Sequence, residues 1–223
     1  MSASSYVTSV RHDRILIVGS RGNMGRRYSL ALMGMGVRQT GWDIADGKPL
    51  DLTGEKAAIV AVPTPQHSDA IDTLLDRGIK SILCEKPLAD NIPDAIATVE
   101  NCKTAGCALH VVNNWRWFKG ASKLLTPGNH KIYYRGLTFG REALWMNVCQ
   151  AVHYAKKFRP DLNYSDLWVM SIDNIPVHYE EVQLSYRHML FDWINGAKNC
   201  MGGAESVDMM GEAMRWERQS ELL

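Results

Sequence analysis

A glycine-spaced turn set between a short apolar run and a helical pattern constrains this sequence more than any other feature. Arg14-Ile15-Leu16-Ile17-Val18 is an isoleucine- and valine-rich run of the kind found in strands buried on both faces. Gly19-Ser20-Arg21-Gly22-Asn23-Met24-Gly25 follows at once. From Arg26 to Met35 the apolar residues Tyr28, Leu30, Ala31, Leu32 and Met35 recur at helical spacing, and Gly36 supplies a stop. A strand, a glycine turn and a helix in immediate succession open a parallel sheet joined by right-handed crossovers.

The pattern repeats downstream. Val37 to Asp43, Ala57 to Val62, Ile79 to Cys84 and Ala108 to Val112 read as further strands. His67 to Gly78 and Pro93 to Ala105 read as helices, the second capped by Asp90 or Asn91. Between Ile44 and Lys56 no helix is convincing, and that crossover reads as a loop. The texture changes after Asn113. Lys131 to Leu137 and Leu167 to Ile172 read as strands, and Arg141 to Phe158 as a helix. Tyr179 to Ala197 reads as a long helix with Val182, Leu184, Tyr186, Met189, Leu190, Trp193 and Ile194 on its apolar side, and Ser206 to Glu217 as a last helix. The expected class is α/β: a Rossmann-type parallel sheet in an N-terminal domain, 1–115, followed by a small α+β cap domain, 116–223.

The chemistry follows from the turn. Gly19 permits the tight bend, Gly22 lets the backbone approach a pyrophosphate, and Gly25 lets the helix pack on the strand. Free N–H groups and the helix dipole then favour a phosphate anion, with Asn23 and Met24 in the first helical turn. Asp43 ends the second strand, where a dinucleotide fold places an acidic residue roughly 20 residues beyond the glycines to meet the adenosine ribose. A carboxylate there disfavours a 2′-phosphate, so NAD is the expected cofactor. Arg21 keeps NADP open.

Three further segments, Pro63-Thr64-Pro65-Gln66-His67, Cys84-Glu85-Lys86-Pro87-Leu88 and Asn114-Trp115-Arg116, fall at the ends of predicted strands. Together with the glycine turn, residues 13–117 resemble the glucose–fructose oxidoreductase / inositol dehydrogenase (Gfo/Idh/MocA) family, which includes biliverdin reductase-like members. The resemblance implies that Pro63 and Thr64 wall the cofactor, that His67 lies near its nicotinamide half, and that Asn114 joins the cofactor-binding set. It implies that Glu85 accepts hydrogen bonds from the nicotinamide ribose, and that Lys86 is the acid/base at the hydride-transfer site. Partial burial and a nearby cationic ring suit a lysine to that work by lowering its pKa. Pro87 keeps Lys86 extended.

Beyond residue 117 the sequence departs from the family. Where members carry an Asp and a His one helical turn apart, this chain has Cys149 and His153. The resemblance makes His153 a second catalytic partner without its acidic neighbour. The 116–223 segment is also short for the open sheet usual in the family.

The expected function is hydride transfer between nicotinamide and a small hydroxy or carbonyl compound, sugar-like in character. Two alternatives stay open: reduction of a conjugated double bond, and a dinucleotide-binding module without turnover. A net charge of +1 gives no case for nucleic acid or an anionic membrane. No run approaches the roughly 18 apolar residues of a membrane span. Five scattered cysteines without a Cys-x-x-Cys pair argue against a zinc site, so no metal is expected, and point to free thiols in the cytoplasm. A small-molecule substrate is the expected partner, and a homo-oligomer is compatible with the sequence.

Overall fold

The computed structural model describes residues 12–117, 179–197 and 199–220. Its elements run β1 (Arg14–Val18), α1 (Asn23–Gly34), β2 (Arg38–Trp42), β3 (Ala57–Val60), α2 (His67–Asp76), β4 (Ser81–Cys84), α3 (Ile92–Thr104), β5 (Ala108–Val111), α4 (Tyr179–Ile194), β6 (Met201–Gly202) and α5 (Gly203–Ser220). The six strands form one sheet in the order β2-β1-β3-β4-β5-β6. The first five are parallel, and β6 pairs antiparallel with β5 through His110–Gly202 and Val111–Met201. The expected Rossmann-type sheet is present.

Alternation along the strands divides the core between the two faces. Ile15, Ile17, Ala57, Ile59 and Leu83 pack with Tyr28 and Leu32 of α1 and with Tyr186, Met189, Leu190 and Trp193 of α4. On the opposite face Leu16, Val18, Ala58, Val60, Ile82 and Cys84 meet Ile71 and Leu74 of α2, Ala95 and Cys102 of α3, and Met209 and Met210 of α5. Both β3 and β4 are buried throughout, which is why β3 reads as an unbroken apolar run and β4 as one after Ser81. Thus α4, β6 and α5, all from the 116–223 segment, pack on the sheet of the N-terminal strands.

Local chemistry sets the helix ends. The Asn91 side chain accepts from the Asp94 amide at 2.9 Å, and Pro93 lies in the first turn of α3. The helix closes with Gly106 at φ 62° and with the Cys107 amide donating to the Cys102 carbonyl at 2.8 Å, a Schellman closure that requires the left-handed residue.

The β2–β3 connection is a loop, as its composition indicates, with one 3₁₀ turn at Ile44–Asp46. Leu50 and Glu55 pin it: Leu50 is buried, and the buried Glu55 carboxylate accepts from Thr40 Oγ1, the Thr53 amide and Thr53 Oγ1. Burial pushes the Glu55 pKa up, but these donors outweigh it and the net shift is downward.

Two helix-face expectations need correction. Leu184 is 49% and Leu30 70% exposed. Leu184 sits roughly 100° around its helix from buried Ser185, and Leu30 roughly 160° from buried Tyr28 and Leu32, so both fall outside the stripe that faces the sheet. The strands expected at Lys131–Leu137 and Leu167–Ile172, and the helix at Arg141–Phe158 with Cys149 and His153, lie outside the described residues.

Candidate functional site

With β1 lying between β2 and β3, the connections leave it in opposite directions. The chain passes through α1 on one face to reach β2, and through α2 on the other to reach β4. The ends of β1 and β3 therefore flank a topological switch point, where open α/β sheets bind ligands.

The glycine turn occupies that point, and its three glycines have different local reasons. Gly19 has φ 84°, and a Cβ there would lie 2.7 Å from the Ala61 carbonyl oxygen. At Gly25 a Cβ would fall 2.1 Å from the Gly19 carbonyl oxygen. Helix and strand thus approach too closely for any side chain at either position. At Gly22 a Cβ would meet only Gly19 O at 3.4 Å and Ala61 O at 3.8 Å, contacts close to ordinary. The protein's own packing tolerates a side chain there; an anion seated on the turn would not. Gly22 caps α1 with no side-chain hydrogen bond, and the first turn of α1 carries no acidic residue. The positive helix end beside Asn23 and Met24 thus retains its affinity for an anion. These features fit a dinucleotide's pyrophosphate.

At the end of β2, Asp43 is held by the backbone. Its Oδ2 accepts from the Arg21 amide at 3.0 Å, and its Oδ1 from the Ala45 amide at 3.1 Å. The Trp42 carbonyl accepts from the Gly19 amide at 2.9 Å and the Ser20 amide at 3.2 Å. Turn and strand end are laced together, so Asp43 stands beside the phosphate cradle. The Arg21 guanidinium pairs with Asp46.

The β3 and β4 ends build the other wall. Pro63 precedes a 3₁₀ turn begun by Thr64, which leads into α2. His67 is buried, its Nδ1 2.9 Å from the Pro87 carbonyl oxygen and its Nε2 2.9 Å from that of Val62. It ties the β3 end to the Lys86–Pro87 turn. Both ring nitrogens face backbone carbonyls.

Glu85 is buried; one carboxylate oxygen accepts the Tyr28 hydroxyl and the other the Lys86 amide at 3.2 Å. Tyr28 is fully buried in α1, edge-on to Tyr186, whose ring lies under the Arg27 guanidinium. Burial, then the Glu85 charge, raises the Tyr28 pKa well above its ordinary value, so the phenol stays protonated and donates. Lys86 follows on a cis peptide to Pro87. Burial lowers the Lys86 pKa against the opposing pull of Glu85.

Asn114 bonds Ser185 Oγ on α4 at 3.0 Å, and Arg116 pairs with Glu205 on α5 while donating to the Asn199 carbonyl at 2.9 Å. These contacts fasten the chain leaving β5 to both C-terminal helices. Sequence reading missed the partners Tyr28, Asp46 and Ser185. Tyr28 had a signal, a phenol in an otherwise aliphatic stripe one turn into α1, whereas the other two had none. Among the described residues no group of three or more His, Cys, Asp or Glu is placed to hold a metal ion, and no helix is long and apolar enough to cross a membrane.

Comparison with known proteins bears on this site. The NAD-binding Rossmann fold of the GFO_IDH_MocA oxidoreductase family matches residues 48–113, which include the Pro63–His67 segment and the Glu85-Lys86-Pro87 turn. D-apiose dehydrogenase of Paraburkholderia graminis is 36% identical over 58 residues, 26% of this chain and 15% of that protein. The chain thus spans only a small part of the relative's length. Among solved structures, the WlbA dehydrogenase of Bordetella pertussis, in complex with NADH and UDP-GlcNAcA, aligns at 21% identity and TM-score 0.43, covering 52% of this chain and 38% of that one. A probable dehydrogenase of Thermotoga maritima aligns at 21% identity and TM-score 0.40, covering 50% and 39%. The match spans β3 to β5 and their connections, so this stretch of the sheet is similar to the NAD-binding Rossmann fold of the Gfo/Idh/MocA oxidoreductases.

Proposed function

We propose that the chain catalyses hydride transfer between a nicotinamide dinucleotide and a small hydroxy or carbonyl compound of sugar-like character, with Lys86 as the acid/base. One observation carries the reading: a half-buried lysine, its pKa lowered by burial, sits on the same edge of the sheet as an uncapped glycine cradle at the switch point. The activity named for the Paraburkholderia relative, D-apiose dehydrogenase, supports a sugar-like substrate.

In this reading the Gly19–Gly25 turn and the α1 N-terminus hold the pyrophosphate, with Asn23 and Met24 in the first turn. Asp43 meets the adenosine ribose with the acceptor capacity its backbone bonds leave. Pro63 and Thr64 line the wall, His67 braces it, and Asn114 holds its outer end to α4. Glu85, oriented by Tyr28, faces the nicotinamide ribose. The bound nicotinamide accepts or supplies the hydride. In the oxidising direction the neutral form of Lys86 Nζ, which burial favours, takes the proton of the substrate hydroxyl; in the reducing direction the protonated form returns that proton to the carbonyl oxygen. His153 is the proposed second group at the substrate.

The test follows absorbance at 340 nm with NAD or NADH and a panel of pentoses, hexoses and their oxidised forms. Turnover on a panel member, falling about 100-fold or more in Lys86→Met, is the expected result, general acid–base groups contributing that much. The oxidation rate should rise with pH through an inflection below the ordinary lysine value and lose that inflection in the variant. Tight NADH binding with no turnover on any member would replace the enzyme by a binding module.

A further inference from the structure

We propose that Asp46 sets the choice between the two nicotinamide dinucleotides by holding the Arg21 guanidinium away from the ribose 2′ position. This rests on the dinucleotide reading above.

Three observations on the described residues meet at this point. The Arg21 amide donates to Asp43 Oδ2 at 3.0 Å, so the Arg21 main chain is anchored beside the carboxylate expected at the adenosine ribose. The Asp46 amide donates to the Asp43 carbonyl at 2.9 Å, closing a single 3₁₀ turn that folds Asp46 back toward the same strand end. The Arg21 side chain, 60% exposed, then reaches across to pair with Asp46, which is 23% exposed.

The charge balance decides what this arrangement selects. A 2′-hydroxyl is neutral and hydrogen-bonds Asp43. A 2′-phosphate carries close to two negative charges, meets the Asp43 charge, and needs a cation. Ile44 follows Asp43 and supplies none. Arg21 is anchored at the right place, but Asp46 neutralises it. An exposed ion pair of this kind is weak. A guanidinium gripping a phosphate through two parallel hydrogen bonds is stronger. The pair is therefore exchangeable, and Asp46 fixes how unfavourable the exchange is. Nothing but Arg21 engages the Asp46 carboxylate among the contacts described, which marks it as a latch rather than a structural cap.

Calorimetric titration of the full chain with NADH and with NADPH tests the latch in wild type, Asp46→Asn, Arg21→Ala and the double variant, with Asp46→Ala alongside. Removing one like charge and freeing one cation should raise the NADPH-to-NADH affinity ratio about tenfold in Asp46→Asn. That gain should vanish when Arg21→Ala is added, and should shrink as salt screens the new contact. An unmoved ratio in both Asp46 variants, or a gain that survives loss of Arg21, overturns the latch. These outcomes are separable from failure of the underlying reading, in which the wild type would bind neither dinucleotide.

Discussion

At the scale of single residues, the Tyr28–Glu85 hydrogen bond shows how the site holds a carboxylate that would otherwise be costly to bury. Unpartnered buried charges are strongly unfavourable. Glu85 escapes that cost by accepting from a fully buried phenol on one oxygen and from the Lys86 amide on the other. Tyr28→Phe preserves the ring and its edge contact with Tyr186 while removing the donor. Chemical denaturation should show a loss of about 1–3 kcal/mol, the range for a buried acceptor left without its partner. A variant as stable as wild type would mean that Glu85 does not depend on Tyr28. The same residue marks the limit of sequence reading. Glu85 and Lys86 stand out because they are charged beside a proline at a strand end. Tyr28 shows only as a phenol in an otherwise aliphatic stripe, and nothing in the sequence names Glu85 as its partner.

At the scale of elements, the glycine turn separates folding from binding. Gly25→Ala sets a Cβ against the Gly19 carbonyl, so α1 must move off β1; equilibrium unfolding should show a loss of about 1–3 kcal/mol, as for overpacked cores. Gly22→Ala keeps an ordinary backbone conformation, φ −67°, and meets no close neighbour. Its melting should change little, while NADH affinity falls about tenfold, the effect of one blocked approach. If Gly22→Ala binds NADH as wild type does, the cradle is not at this turn.

The elements themselves were legible where periodicity is strong. β1, β3, β4 and α1 to α3 fall where apolar runs and helical spacing put them, because strands buried on both faces and helices with one buried stripe leave opposite patterns. The two-residue strand β6 leaves none: Met201–Gly202 is specified by its partner His110–Val111 across the sheet and by nothing local. The loop from Ile44 to Lys56 was legible as a loop, but the Arg21–Asp46 contact across it was not, since no spacing rule links a turn residue to a loop acid.

At the scale of the whole molecule, acid sensitivity follows from what the core buries. His110 on β5 lies with its Nδ1 buried and unbonded in the described structure, and burial, reinforced by His12, pulls its pKa down to about 4. In the unfolded chain it titrates near 6.5. Between these values the unfolded state binds a proton that the folded state does not, so stability rises with pH across that window and falls on acidification. His12, lowered by burial, acts in the same direction. Between pH 7 and pH 5 wild type should lose about 2 kcal/mol more than His110→Leu, from the roughly 1.5 units of that window lying above pH 5. Parallel stability–pH curves for the two proteins would show that His110 is not buried in its neutral form.

The pairing of β5 with β6 joins segments far apart in the chain, and it imposes an order on events at the ribosome. When β5 emerges, the glycine cradle, Asp43 and Lys86 have already been synthesised, but the strand that borders β5 and the two helices that cover both sheet faces have not. Chains growing from the N-terminus fold what is available first. The dinucleotide half of the molecule must therefore wait, with one strand edge bare, until Met201–Gly202 arrives.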